Sequence, residues 1–255
     1  MTNFEKVINF MKAFGQNVYI TENLDVLQND KLLELRITLN EEEFEELNVA
    51  MKEHNYIEVL DALGDLLFVL YGSGGAFGIN IDEEFKKRFM KLVNFGKYKS
   101  TGTLNNVNIL RKIPRQDMKY VFTFADNNTM LLGQINRIRK SMTLFNEGVK
   151  SKNYEQIKIE LVNTIYNVYE FTIMYDIDID NIFDDIYKSN MTKLCVSEEE
   201  AIKTLEWYKI NEQRYKNPQY RQSDVANLWV VFDATNGKIL KSINYSPVDL
   251  KKYSI

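Results

Sequence analysis

Cysteine, histidine and proline are nearly absent from this chain, and each scarcity removes a class of chemistry. A single cysteine, Cys195, excludes an internal disulfide framework and zinc-finger spacing. A single histidine, His54, excludes multi-histidine metal sites. Neither residue stands in a catalytic partner pattern, and they read as a half-buried thiol and a turn residue. No GxSxG elbow occurs. No apolar run reaches the ~20 residues that span a bilayer. The opening MTNFEKVINF carries acidic and polar residues in its first turns and no small-residue cleavage site, unlike a signal peptide. These absences lead us to expect a reducing, cytoplasmic setting. A net charge of −4 gives no electrostatic reason for a nucleic-acid partner. The basic group Arg137, Arg139 and Lys140 reads as a solvated helix face. An enzyme of this composition must work with carboxylates, lysines, asparagines and metal.

What is present suffices for a sizeable core. With 255 residues, 45% hydrophobic and 27% charged, the chain can form one large domain or two small ones. Thr2 or Asn3 can cap a first helix that stops at Gly15. Apolar spacing from Leu32 to Ala50 predicts a long amphipathic helix from about Asp30 to Asn55. A second begins at Tyr56 or Ile57 and runs to about Gly72, and Asp82 is expected to cap a third. TGTLNNVN and Pro114 mark an irregular stretch. Helices resume near Met130, from Tyr154 to about Met174, and from Ile182 to about Lys193. Ser197, with a glutamate three residues on, caps another. LWVVFD, ATNG and KILKSI then predict a β-hairpin whose Asn236-Gly237 pair favours a type I′ turn.

A shift of 98 residues aligns part of the chain with itself. Asn55-Tyr56 meets Asn153-Tyr154, Tyr71 meets Tyr169, Asp82 meets Asp180 and Phe85 meets Phe183. The fold class expected is therefore mainly α: a tandem helical bundle, an internal pseudo-dimer, with a small C-terminal β-hairpin. The plan is a first repeat over 1–97, a connection over 98–127, a second repeat over 128–196 and an extension over 197–255.

The acids do not repeat. Glu42, Glu43 and Glu46 fall opposite Lys140, Ser141 and Leu144, while Glu58, Asp61 and Asp65 fall opposite Gln156, Ile159 and Asn163. Loss of all six beside retained apolar positions suggests a task confined to the first copy; drift at unconstrained surface positions is the other reading. On a helix, Glu42, Glu43 and Glu46 can converge, and Glu58, Asp61 and Asp65 share one face of the next. An acidic helical patch alone is usually solvated surface, the role assigned to Glu41 and Glu45. Asp65 is different, because Leu63, Leu66, Leu67 and Phe68 around it are core types. A carboxylate there needs compensation, from a divalent cation or from a structural network. GSGGAFG lacks the preceding strand and the Lys-Ser/Thr ending of a phosphate loop, so tight helix packing or a kink is expected. Trp207, Trp229, Tyr208 and Tyr215 are read as packing the hairpin against helices, with base stacking the alternative.

EExxEL, followed by DALGDLLFVLYG and FGINID, resembles the all-α NTP pyrophosphohydrolase superfamily, above all its MazG-like, phosphoribosyl-ATP-pyrophosphohydrolase-like members. INFMKAFGQNV, KSNMTKL and the trailing EEEAIKTLEWYK, RYKNPQYR and WVVFDATNGKILKSINY extend the resemblance over nearly the whole chain. It implies hydrolysis of a nucleoside triphosphate to monophosphate and pyrophosphate with Mg²⁺, or Mn²⁺ in its place, and leaves a homodimer open. Glu43, Glu46 and Asp65 match metal ligands, and Glu42 matches a glutamate that positions or activates water. Ala62 holds the position of a further family glutamate, so Asp61, helped by Glu58, is taken as the fourth ligand. The family's phosphate-contacting Asn and Lys match Asn190 and Lys193, with Asn94 and Lys97 the first-copy version. Two rivals stay open: a nucleotide-binding or regulatory protein without turnover, and a structural helical bundle.

Overall fold

The computed structural model describes residues 1–96, 129–225 and 227–253, with side chains described for 1–88, 131–225 and 227–253. Lys97 and the stretch 98–127 lie outside the described residues, as does the side chain of Asn94. Among the described residues the order is α1 (Asn3–Ala13), α2 (Asp30–Lys52), α3 (Tyr56–Phe77), α4 (Ile81–Gly96), α5 (Thr129–Lys150), α6 (Tyr154–Met174), α7 (Ile179–Met191) and α8 (Glu198–Asn211). Three short strands follow, β1 (Pro218–Gln222), β2 (Trp229–Asp233) and β3 (Lys238–Ile239).

Local chemistry sets most boundaries. Thr2 and Glu5 form a reciprocal capping box at α1, and Gly15 turns the chain with φ of 61°. The two hairpin turns are built alike. His54 and Lys152 both take φ of 56°, and Asn55 and Asn153 then cap α3 and α6 by accepting from the amides of Glu58 and Gln156. Three boundaries differ from expectation. α3 continues through Gly72–Gly75 to Phe77, because burial of this face outweighs the low helix propensity of glycine. At α4 it is Asn80 that accepts from the Glu83 amide, whereas Asp82 accepts from the Thr2 hydroxyl at 2.6 Å. α7 also begins three residues earlier than the spacing predicts.

The repeat is visible in space. α2–α3 and α5–α6 are the two helical hairpins, and each short helix crosses to the other copy: α7 packs on α3, and α4 on α6. Phe183 meets Tyr71 edge-on at 5.8 Å, and its counterpart Phe85 meets Tyr169 edge-on at 5.9 Å. Tyr71 and Tyr169 share a buried hydroxyl contact of 2.7 Å between the copies. The start of α1 clamps both matching aspartates: Thr2 donates to Asp82, and Asn3 Nδ2 donates to Asp180 at 2.8 Å. One contiguous core runs from Phe4 and Leu47 through Leu67 and Tyr169 to Phe183 and Val230. α3 is long and apolar enough for a membrane span, but 78% of its most apolar window is buried by the surrounding bundle.

The tail corrects the hairpin in two respects. It is a three-stranded antiparallel sheet in the order β1-β2-β3, with Pro218 opening an edge strand that sequence pattern had missed. The turn is not type I′: only Gly237 has positive φ, and the Gly237 amide closes a four-residue loop on the Asp233 carbonyl at 2.7 Å. Cys195, expected half-buried, is fully buried and pairs backbone with Trp229. Tyr208 packs with Val231 and Leu240 of the tail, and Tyr215 and Trp229 lie against the same small core, whereas Trp207, read as packing too, is exposed. The sheet is tied to α1, where Ser223 Oγ donates to the Ala13 carbonyl at 2.5 Å and Arg221 to that of Phe14 at 2.7 Å.

Candidate functional site

α2 and α3 lie side by side, joined by a three-residue turn, so their acidic faces meet across the hairpin. Phe44 and Leu47 hold the α2 face against the core, and Leu60, Ala62, Leu63 and Leu66 do the same for α3. This packing half-buries Glu43, Asp61 and Asp65 and leaves Glu42, Glu46 and Glu58 exposed. Glu41 and Glu45, taken as solvated, accept from Asn146 and Asn48.

Electrostatics show which acids form one group. Glu43 is pushed up to about 8, first by burial and then by Asp65, Glu46, Glu42 and Asp61. Asp65 is raised to about 7 by burial and then by Asp61, with Lys193 opposing the rise and Glu46 adding to it. Asp61 is raised by burial, by Glu58 and by Glu46. All six acids thus belong to one mutually repelling set, drawn from both helices. A carboxylate in such a site resists ionisation until a cation or proton relieves it. As the side chains stand, no three Asp, Glu, His or Cys residues among those described are arranged to hold a metal ion.

The cationic side comes from the other copy and from the tail. Lys193, just past the end of α7, is half-buried and held below its usual value by burial, with Asp65 the strongest influence the other way. It reaches the first-copy acids because α7 crosses onto α3. Asn190 is buried one turn earlier and takes the Lys193 amide on its carbonyl at 3.1 Å. Lys241 was missed by sequence reasoning, yet it lowers both Asp61 and Asp65. The Lys241 amide donates to the Tyr208 hydroxyl at 3.0 Å, and its ammonium lies 4.4 Å from the Tyr245 ring centroid. No spacing rule connects a lysine after the last strand with acids some 180 residues earlier; only folding of the tail onto α8 joins them. In the second copy Asn163, opposite Asp65 in the repeat, accepts from Arg88 instead.

The family model described as phosphoribosyl-ATP pyrophosphohydrolase matches residues 7–88, which carry α2, α3 and all six acids. "Uncharacterized protein L479" of Acanthamoeba polyphaga mimivirus is 31% identical over 245 residues, covering 94% of this chain and 91% of that protein. No solved structure matches the chain. A helical bundle with paired acidic faces, matched by that model over its acid-bearing copy, places the chain in the MazG-like, all-α pyrophosphohydrolase superfamily, as a phosphoribosyl-ATP-pyrophosphohydrolase-like hydrolase of nucleotide pyrophosphate bonds.

Proposed function

We propose that the protein hydrolyses a nucleoside triphosphate, ribo or deoxy, to the monophosphate and pyrophosphate with Mg²⁺. The observation that carries this reading is the gathering of Glu43, Glu46, Asp61 and Asp65 against Lys193 and Lys241. The donor set suits a hard divalent cation, since every candidate ligand is a carboxylate. Burial first, and the neighbouring carboxylates second, lift Glu43 to about 8 and Asp65 to about 7, and a bound cation would offset both effects. Exposed Glu46 and half-buried Asp61 have the rotamer freedom to close on it. Glu43, Glu46, Asp61 and Asp65 would hold the ion, with Glu58 at the rim; Mn²⁺ would serve in its place. When bound, it would neutralise the phosphates and supply acidity to the attacking water.

The chain's own groups do the rest. Glu42, exposed beside the cluster, accepts the proton of a water whose oxygen bonds to the α-phosphorus. The bond from that phosphorus to the bridging oxygen of the β-phosphate breaks, and pyrophosphate leaves. Lys193 and Lys241 offset the charge that grows on it, and Asn190 adds an amide donor. Pyrophosphate release from a panel of ribo- and deoxynucleoside triphosphates, with Mg²⁺ and with EDTA, tests the reading. Release confined to Mg²⁺ or Mn²⁺ is the expected result. Tight nucleotide binding with no release from any triphosphate would overturn it in favour of a binding protein.

A further inference from the structure

Arg36 and Asn40 extend the acidic face of α2 away from the acids, and their side-chain donors are orphaned. Arg36 is only 6% exposed and Asn40 is fully buried. Arg36 Nε and Asn40 Nδ2 have no hydrogen-bond partner, and no ion pair reaches Arg36 among the described residues. Burial lowers the guanidinium to about 10, so it remains charged at neutral pH. On α3, Asp65, Val69 and Ser73 run along the facing side at four-residue intervals, and Ser73 Oγ donates to the Val69 carbonyl at 3.1 Å. Gly72 makes room for the guanidinium: a Cβ there would lie 3.0 Å from Arg36 Nη1. Gly72 therefore accommodates a buried cation, while Gly74 makes room for Ile81 and Gly75 for Ile8 and Met11.

A charged, desolvated guanidinium and a buried amide without acceptors are costly unless a ligand supplies them. By helical rise Asn40 lies ~4.5 Å and Arg36 ~10.5 Å along α2 from Glu43. That direction and reach suit a nucleoside whose α-phosphate sits at the acids. We propose that Arg36 and Asn40 read the base of the nucleotide and select bases with oxo acceptors (guanine, hypoxanthine, uracil or thymine) over adenine and cytosine. This rests on the triphosphate reading of the neighbouring acids. The chemistry is donor against acceptor. Arginine has no acceptor, and Asn40 presents its N–H₂ group, so an exocyclic amine at the same place would leave donors facing donors. A guanidinium also fits the paired O6 and N7 acceptors of guanine.

The test compares kcat/KM for GTP against ATP and for UTP against CTP in the wild type, Arg36→Met and Asn40→Leu. The oxo bases are expected to be preferred by on the order of 10- to 100-fold, and either variant to bring the ratio towards one. A purely structural Arg36 would be revealed by a lower Tm of the nucleotide-free Arg36→Met protein with the ratio unchanged; the proposal expects a Tm no lower than wild type. Calorimetry of GMP and AMP in EDTA reads the pocket without turnover. If no triphosphate is hydrolysed but GMP outbinds AMP and Arg36→Met abolishes the difference, the hydrolase reading fails and the base site stands. Equal wild-type use of all bases, or ratios untouched in both variants, overturns the base site alone.

Discussion

Asp65 and Glu43 occupy a position that is poor for folding and useful for binding. Each is half-buried beside core leucines, each faces other carboxylates, and each is pushed well above the usual carboxylate range. Their neutral isosteres separate the two roles. Glu43→Gln and Asp65→Asn are expected to lower Mg²⁺-dependent pyrophosphate release at least ~100-fold, because a ligand charge is lost where the substrate's charge must be met. The same changes remove the cost of ionising a crowded, half-buried carboxyl, so Tm without metal at about pH 8 and above should hold or rise. Wild-type turnover in both, followed by the release of pyrophosphate, would remove them from the site. Tyr169 is the contrasting case: fully buried, it meets Tyr71 at 2.7 Å and accepts from Asn3 at 3.1 Å, and the acids acting on it are Asp180 and Asp82. Tyr169→Phe removes both contacts and should cost about 1–3 kcal/mol in chemical denaturation with kcat retained.

At the level of elements, the crossing of the short helices builds the site. α7 belongs in sequence to the second repeat, yet it packs on α3 and delivers Lys193 to the first-copy acids. The tail acts similarly. The Leu240 amide bonds to the Val231 carbonyl at 2.9 Å and the Ile243 amide to Thr204 Oγ1 at 3.2 Å, fixing Lys241 between them. Because the Lys241 side chain is exposed, Lys241→Met should leave Tm unchanged while raising KM for the triphosphate several-fold, measured by steady-state pyrophosphate release. The end of α3 is less forgiving. Gly78 has φ of 71°, and a Cβ there would run into the backbone carbonyl of Thr21. Gly78→Ala is expected to destabilise by more than ~1 kcal/mol in urea unfolding, since neither the conformation nor the backbone can yield cheaply.

For the whole molecule, the acid cluster couples stability to pH and metal. Glu43 and Asp65 are raised in the fold, so the native state holds protons that the unfolded chain has released. That stabilisation is full below about pH 4 and is lost as pH rises through 7 to 8. The depressed aspartates Asp184 and Asp185, held down by Lys188, Lys6 and Lys252, act in the opposite sense, and only below that window. In EDTA, Tm should therefore fall by several degrees between about pH 5 and pH 8.5. Mg²⁺ should cancel the fall, because its ligands bind deprotonated. A flat metal-free profile in differential scanning calorimetry would show that the acids do not repel as described.

Periodicity and capping were enough to read the helices from sequence, because amphipathic spacing and Asn, Ser and Thr caps are local chemistry. The 98-residue self-match marked the two hairpins for the same reason: both depend on one short pattern of an Asn cap followed by core residues. The paired acids, too, were legible, since i, i+3 and i+4 spacing fixes a face before any tertiary contact forms. Tertiary structure decided which lysines meet them, how far α3 runs and what its glycines are for. Lys241 faces Asp65 only once β2, β3 and α8 have assembled, and Gly72 is explained only when Arg36 is seen against it. β1 was hidden because an edge strand opening on Pro218 has little pattern of its own and forms by pairing with β2. Short-range geometry is written along the chain, whereas burial and opposite charge at a distance exist only after the chain has closed on itself.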